Sequence, residues 1–186
     1  MDAIELLLHP VRLRIVHAVF DERPFATTEL CELLPDVSKA TIYRQVGLLA
    51  EGGLLEVVSE ERIRGTVERH YRLRRARAVI DAEVTAEMSL EDHRRGFTAV
   101  VASVLAEFDL YVGRADTDPA ADKAAYLQSS LWLSDAEKAE LIDEVAASLR
   151  SRFANAPAPE RKRHLLTAIL FPTEDNTPVT GRRHEA

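Results

Sequence analysis

The run SKATIYRQVGLLAEGGLL at 38–55 constrains this chain more than any other segment. Ser38 supplies a short side-chain oxygen at the head of the run, and Ile42, Val46 and Leu49 recur at helical spacing. A helix is therefore predicted with Ser38 as its N-cap and those three residues facing inward. Gly52 and Gly53 end it in the manner of a left-handed C-terminal cap, and LLEVV at 54–58 continues as a strand. If the apolar set faces inward, Lys39, Thr41, Tyr43, Arg44 and Gln45 belong to the outward face.

The flanking sequence completes a recognisable unit. Pro10 suits the first position of a helix, because its missing N–H is not needed there, and Val11, Ile15 and Val19 mark one face. DERP at 21–24 breaks that helix. Thr27 or Thr28 is expected to cap the next one, with Glu29 in its first turn and Leu30, Leu33 and Leu34 on its buried side. Pro35 and Asp36 close it, and Val37 is placed to staple onto Ile42. After the strand, SEERIRG at 59–65 reads as the polar part of a hairpin, and Val67, Arg69, Tyr71 and Leu73 alternate along a return strand from Thr66. Three helices and a hairpin make a winged helix.

Beyond Arg77 the sequence turns acidic and alanine-rich. Ser89 and Asp92 are predicted to cap a helix running to Gly113, with Phe97, Val101, Val104, Leu105, Phe108 and Val112 as its apolar stripe. At 1.5 Å per residue this helix is roughly 35 Å long, more than a small domain needs for its own core, and such helices often pair between subunits. Ser134 and Glu137 form a capping box before a helix with Leu141, Ile142, Val145, Leu149 and Phe153 on one face. HLLTAILF at 164–171 reads as a strand or short helix. The expected fold is mainly α with a small β-hairpin wing: a winged helix-turn-helix over 1–77, a helical dimerisation or effector region over 78–172, and a disordered tail over 173–186.

Composition narrows function. The 186 residues, 46% of them hydrophobic, suffice for a core. No stretch approaches the roughly 20 apolar residues of a membrane helix, and no signal-peptide pattern opens the chain, so it is expected in the cytoplasm without membrane attachment. Cys31 is the lone cysteine, which excludes an internal disulfide and a thiolate-pair zinc site. On a helix beside Leu30 it reads as a small hydrophobe. The net charge is −7, yet Ser38 to Arg77 holds nine basic and five acidic residues, a local +4 that leaves −11 for the remainder. One region alone is suited to polyanions.

LLLHPVRLRIV, TTELCELL, SKATIYRQVGLLAEGGLL and GTVERHYRL, in that order, resemble the ArsR-like winged-helix regulators over about the first 75 residues. The resemblance rests on the Pro-x-Arg-Leu pattern at Pro10 to Leu13, the Leu-Leu-x-x-Gly-Gly-Leu pattern at Leu48 to Leu54, and the hairpin closing on Tyr71-x-Leu73. It implies a homodimeric regulator, usually a repressor, whose 38–51 helix enters the major groove while the wing touches flanking backbone or minor groove. Metal-sensing members carry Cys-x-Cys where this chain has LCELL at 30–34, so no metal is expected. The acidic second half exceeds the family's compact core.

On this reading Lys39, Thr41, Tyr43, Arg44 and Gln45 read base edges and anchor phosphates, with Arg44, whose planar fork fits guanine O6 and N7, as the chief base reader. The bland alternative is a solvated helix face. Ser38 can offer its hydroxyl to a phosphate near the positive helix end. Arg62 and Arg64 at the hairpin tip, with Arg69, are the wing's DNA contacts; Glu60 and Glu61 dilute that signal, and the alternative is a turn with internal ion pairs. Alternation turns part of the set Arg72, Arg74, Arg75 and Arg77 away from DNA. Phe97, Phe108, Tyr111, Tyr126 and Trp132 would line a pocket for an apolar small-molecule effector or a dimer interface. The six histidines show no zinc-site spacing, and no nucleophile elbow, phosphate-binding glycine loop or paired-carboxylate motif is present, so neither an enzyme nor a cofactor is expected. From a different class, the chain could be a winged helix that binds a transcription component instead of double-stranded DNA.

Overall fold

Histidine followed by proline opens the first long element of the fold. In the computed structural model of the protein, which describes residues 3–20, 23–63, 66–78, 82–153, 155 and 157–173, α1 (Ala3–Leu7) leads into α2 (Pro10–Ala18). His9 is the N-cap, its Nδ1 accepting from the Val11 N–H at 3.2 Å, and Pro10 sits at the first turn as its missing donor allows.

The chain then forms β1 (Phe25–Ala26), which the sequence did not signal, and α3 (Thr27–Leu33). Neither Thr27 nor Thr28 is the cap. Because β1 holds the backbone extended through Ala26, the N-cap falls there, and Glu29 reaches back to accept from the Ala26 N–H at 2.9 Å. Thr27 is buried inside the helix, and Thr28 donates to Glu68 at 3.0 Å. Leu30 and Leu34, one turn apart, take the buried face, which leaves Leu33 45% exposed where it was expected inside.

α4 (Lys39–Glu51) follows Ser38, whose Oγ accepts from the Thr41 N–H at 3.2 Å. Ile42, Val46 and Leu49 are buried as read. The two glycines after α4 answer different demands. Gly53 has φ +73°, the left-handed region that glycine enters without cost, whereas a Cβ on Gly52 would strike the Leu6 side chain. β2 (Leu55–Ile63) then runs further than the apolar 54–58 segment because its polar half pairs antiparallel with β3 (Thr66–Leu73), Glu60 opposite Arg69. β1 pairs on the other side of β3, Phe25 opposite Tyr71, giving the order β1-β3-β2. Ile15, Phe25, Leu30, Ile42, Leu49 and Leu54 lie at the centre of the core between helices and sheet.

After a short 3-10 turn at Arg75–Arg77 come α5 (Ala82–Glu87) and α6 (Leu90–Val112). Ser89 caps α6 by accepting from the Asp92 N–H at 3.1 Å, and Gly113 ends it. One side of α6, with Ala99 and Ser103 buried, packs along α2. Its other side carries Phe97, Val101, Leu105, Phe108 and Val112, all substantially exposed. α7 (Asp135–Phe153) starts at the predicted capping box, Glu137 Oε2 accepting from the Ser134 N–H at 2.8 Å, and buries none of its residues.

Residues 1–154 form one compact unit and 155–186 another. The described part of the second unit contains neither helix nor strand, so HLLTAILF at 164–171 is corrected to irregular chain. Its apolar content suits a strand, but no described strand pairs with it, and an unpaired strand has no ladder to hold it. Of the tail expected beyond residue 172, only Thr173 is described. The fold is mainly α with a small antiparallel sheet: an N-terminal winged helix-turn-helix followed by helices.

Candidate nucleic-acid interface

The outward face of α4 holds Lys39, Tyr43 and Arg44 in solvent, Tyr43 at 53% exposure. Ser38 is exposed at the head of the helix and Thr41 is half-buried; their hydroxyls share a hydrogen bond of 2.8 Å. These side chains are presented by a helix whose opposite face is locked into the core, so the surface from which they project is fixed before any partner arrives.

Gln45 does not belong with them. It is 2% exposed, and its Oε1 accepts from Arg12 Nη1 at 3.1 Å. Gln45 lies between Ile42 and Leu49 at the i+3 position of the apolar stripe, a spacing legible in the sequence but masked by its polar side chain. The outward assignment of Gln45 is therefore corrected. Arg12 also donates from Nε to the Leu6 carbonyl and from Nη2 to the Glu5 carbonyl at 2.8 Å, so the buried guanidinium is satisfied by neutral acceptors. Burial holds Arg12 below the usual arginine range, helped by the positive charge of Arg44. His9 is likewise held below its ordinary value of 6.5, by burial first and then by Arg12 and Arg44. One buried cation from α2, Arg12, thus lies against the core side of α4 beside Gln45.

The wing is less free than its arginine count suggests. Arg69 Nε pairs with Glu60 Oε1 at 2.9 Å, which raises the guanidinium further. Arg72 and Arg74 both grip Glu56, at 2.7 and 3.0 Å, and their hydrogen bonds hold its carboxyl below the usual range. Arg62 is exposed on β2; Arg64 lies outside the described residues.

A group that sequence reasoning passed over ties this unit to α6. Arg14, 3% exposed, donates from Nη1 and Nη2 to Asp36, both at 2.7 Å, and from Nε to Glu107 at 2.9 Å. These bonds raise Arg14, while the bond from Arg14 holds the Asp36 carboxyl low. Nothing local in the sequence marks Arg14 for burial, because its neighbours Leu13 and Ile15 each lie about 100° round the helix from it.

Of the five aromatics of the second half, three are joined by ring contacts. Phe108 meets Tyr111 at 6.0 Å and Tyr126 edge-on at 5.9 Å between ring centres, whereas Trp132 is 76% exposed and Phe97 about half exposed. A cavity of about 300 Å³ lies elsewhere, between the α2 start and α6, lined by Leu8, Pro10, Arg94, Arg95, Ala99 and Ala102 among others. Among the described residues no helix is long and apolar enough to cross a membrane.

Compared with known proteins, residues 7–58 match the family described as a helix-turn-helix domain, a stretch that spans α2, α3 and α4 and reaches into β2. No curated protein matches the chain. The chain thus carries an N-terminal helix-turn-helix domain, the architecture of DNA-binding transcription regulators.

Proposed function

We propose that this protein is an ArsR-like, homodimeric winged-helix transcription regulator, a repressor that binds a palindromic operator in the cytoplasm and has no catalytic role. Residues 1–77 bind DNA, and 78–172 dimerise or take an apolar small-molecule effector. The observation that carries this reading is the exposed Lys39, Tyr43 and Arg44 face on a helix held by its core side within a matched helix-turn-helix domain. Arg44 reads a base edge; Ser38, Lys39, Thr41 and Tyr43 set the register on phosphates. Arg62, Arg64 and Arg69 of the wing add backbone or minor-groove contacts. The exposed apolar side of α6 supports pairing between two copies, which would set two α4 helices about 34 Å apart on successive major grooves.

One observation favours a second reading, in which the winged helix docks on a protein of the transcription machinery: Arg69, Arg72 and Arg74 are already paired within the wing. The test is retention of pooled genomic DNA fragments by wild type and by an Arg44→Ala, Arg64→Ala variant, with sequencing of what is kept. Enrichment of a palindromic site by wild type and not by the variant supports the regulator. No retention above background at low salt favours the docking module.

A further inference from the structure

Arg14 stands where three elements meet. Its planar guanidinium presents two parallel donors to Asp36, in the turn between α3 and α4, and a third donor in the same plane to Glu107 on α6. Because the plane is rigid, the direction set for Nε–H by Glu107 also sets where the fork points. Asp36 lies two residues before Ser38, the N-cap from which α4 starts. A shift of α6 along α2 therefore reaches the first turn of the helix that faces DNA through two charge-assisted contacts. Both are short, and the arginine at their centre is 3% exposed.

The seam that carries this link also holds a buried polar group. One turn before Glu107, Ser103 is 1% exposed and its Oγ has no hydrogen-bond partner among the described residues. A buried hydroxyl without a partner costs stability that an alanine there would not. The charges also allow Glu107 to be changed without leaving a lone buried cation. Arg14 has two carboxylates around it, and loss of Glu107 leaves a balanced pair with Asp36.

We propose that Glu107 is a positioning residue for DNA binding: by holding Arg14 from α6 it fixes Asp36, and so makes the placement of the α4 helix depend on the placement of α6. This rests on the DNA-binding reading above. Glu107 makes its ion pair with Arg14 and not with Lys39, Tyr43 or Arg44, so its effect appears as lost discrimination, with general attraction to phosphate intact. It gives the second half of the chain a defined lever on the first: whatever moves α6, a partner copy or a small molecule, moves the turn ahead of α4.

The experiment compares full-length wild type, Glu107→Ala and Glu107→Gln. Affinity is measured for a duplex recovered from the genomic selection and for a random-sequence duplex pool, and amide hydrogen exchange is followed at Val37 to Ile42. Glutamine keeps an acceptor for Arg14 Nε, so it is the conservative rescue. The expected result for alanine is a loss of about threefold to thirtyfold on the selected duplex, the range typical of coupling residues, with random-sequence binding unchanged and faster exchange at Val37 to Ile42. Glutamine restores most of each. Equal losses on both duplexes with unaltered exchange would reduce Glu107 to a stabilising contact and overturn the proposal, as would an alanine variant that matches wild type throughout. If wild type retains no DNA, the DNA-binding reading fails, and the exchange comparison still decides whether α6 holds the turn.

Discussion

Arg12 on α2 donates to Gln45 on α4 at 3.1 Å, and this single contact separates two adjacent residues of α4 into different roles. Arg44 faces solvent; Gln45 completes the hydrogen bonding of a buried guanidinium. Replacing Gln45 with leucine removes one acceptor from Arg12, at an expected cost of about 1–3 kcal/mol of stability. Arg44→Ala is expected to leave stability within about 0.5 kcal/mol while weakening DNA binding. Thermal melts and DNA titrations of the two variants should show opposite patterns. A Gln45→Leu protein that melts like wild type would remove the structural role.

His9 makes stability depend on pH. In its neutral form Nδ1 caps α2, and burial with the Arg12 and Arg44 charges keeps that form favoured below the ordinary pKa of 6.5. The depressed folded value means that His9's contribution is fully present above about pH 6.5 and is lost as pH falls through the folded value. Protonation falls on the capping nitrogen itself. His9→Asn retains a cap without a titrating group and is expected to flatten the melting-temperature profile between pH 7 and pH 5, whereas His9→Ala should cost about 0.5–2 kcal/mol at pH 7. A wild-type profile no steeper than that of the asparagine variant would count against this role.

The local signals in the sequence match the fold closely. Ser38, Ser89 and Ser134 were identified as helix starts, the Ile42, Val46, Leu49 stripe faces inward, and the return strand begins at Thr66. Each of these signals lies within a few residues of what it determines. The failures involve partners far along the chain. β1 has two residues and exists because Tyr71 and His70 pair with it, and its pairing is what moved the α3 cap from threonine to Ala26. Burial of Gln45 and of Arg14 depends on groups 33 and 93 residues away, and a polar side chain carries no local mark of such a partner. The apolar stripe of α6 was legible as a stripe, but the buried side of the helix is its alanine and serine side.

Glu60 restrains Arg69 in the wing. Glu60→Gln weakens that pair and releases a cation for phosphate, so random-sequence DNA should bind more tightly and the salt dependence should steepen by up to about one unit of slope. Electrophoretic mobility titrations over a salt series measure both. An unchanged slope would show that Arg69 does not reach the backbone.

If α6 pairs between copies, Leu105, 59% exposed on its apolar side, lies in the interface. Leu105→Glu should then shift sedimentation from dimer to monomer at micromolar concentration and leave the melting of the winged helix nearly unchanged, because the residue is exposed in the single chain. A wild-type protein that sediments as a monomer at the same concentration would contradict the pairing directly.

If the α4 face binds DNA, the affinity must depend steeply on salt. For wild type the logarithm of the binding constant should fall linearly with the logarithm of salt concentration, by about 0.9 for each phosphate neutralised, and Arg44→Ala should lower affinity most on the selected sequence. An affinity for DNA that ignores salt, or an Arg44→Ala protein that binds and discriminates like wild type, would show that the α4 face is not the DNA-binding surface.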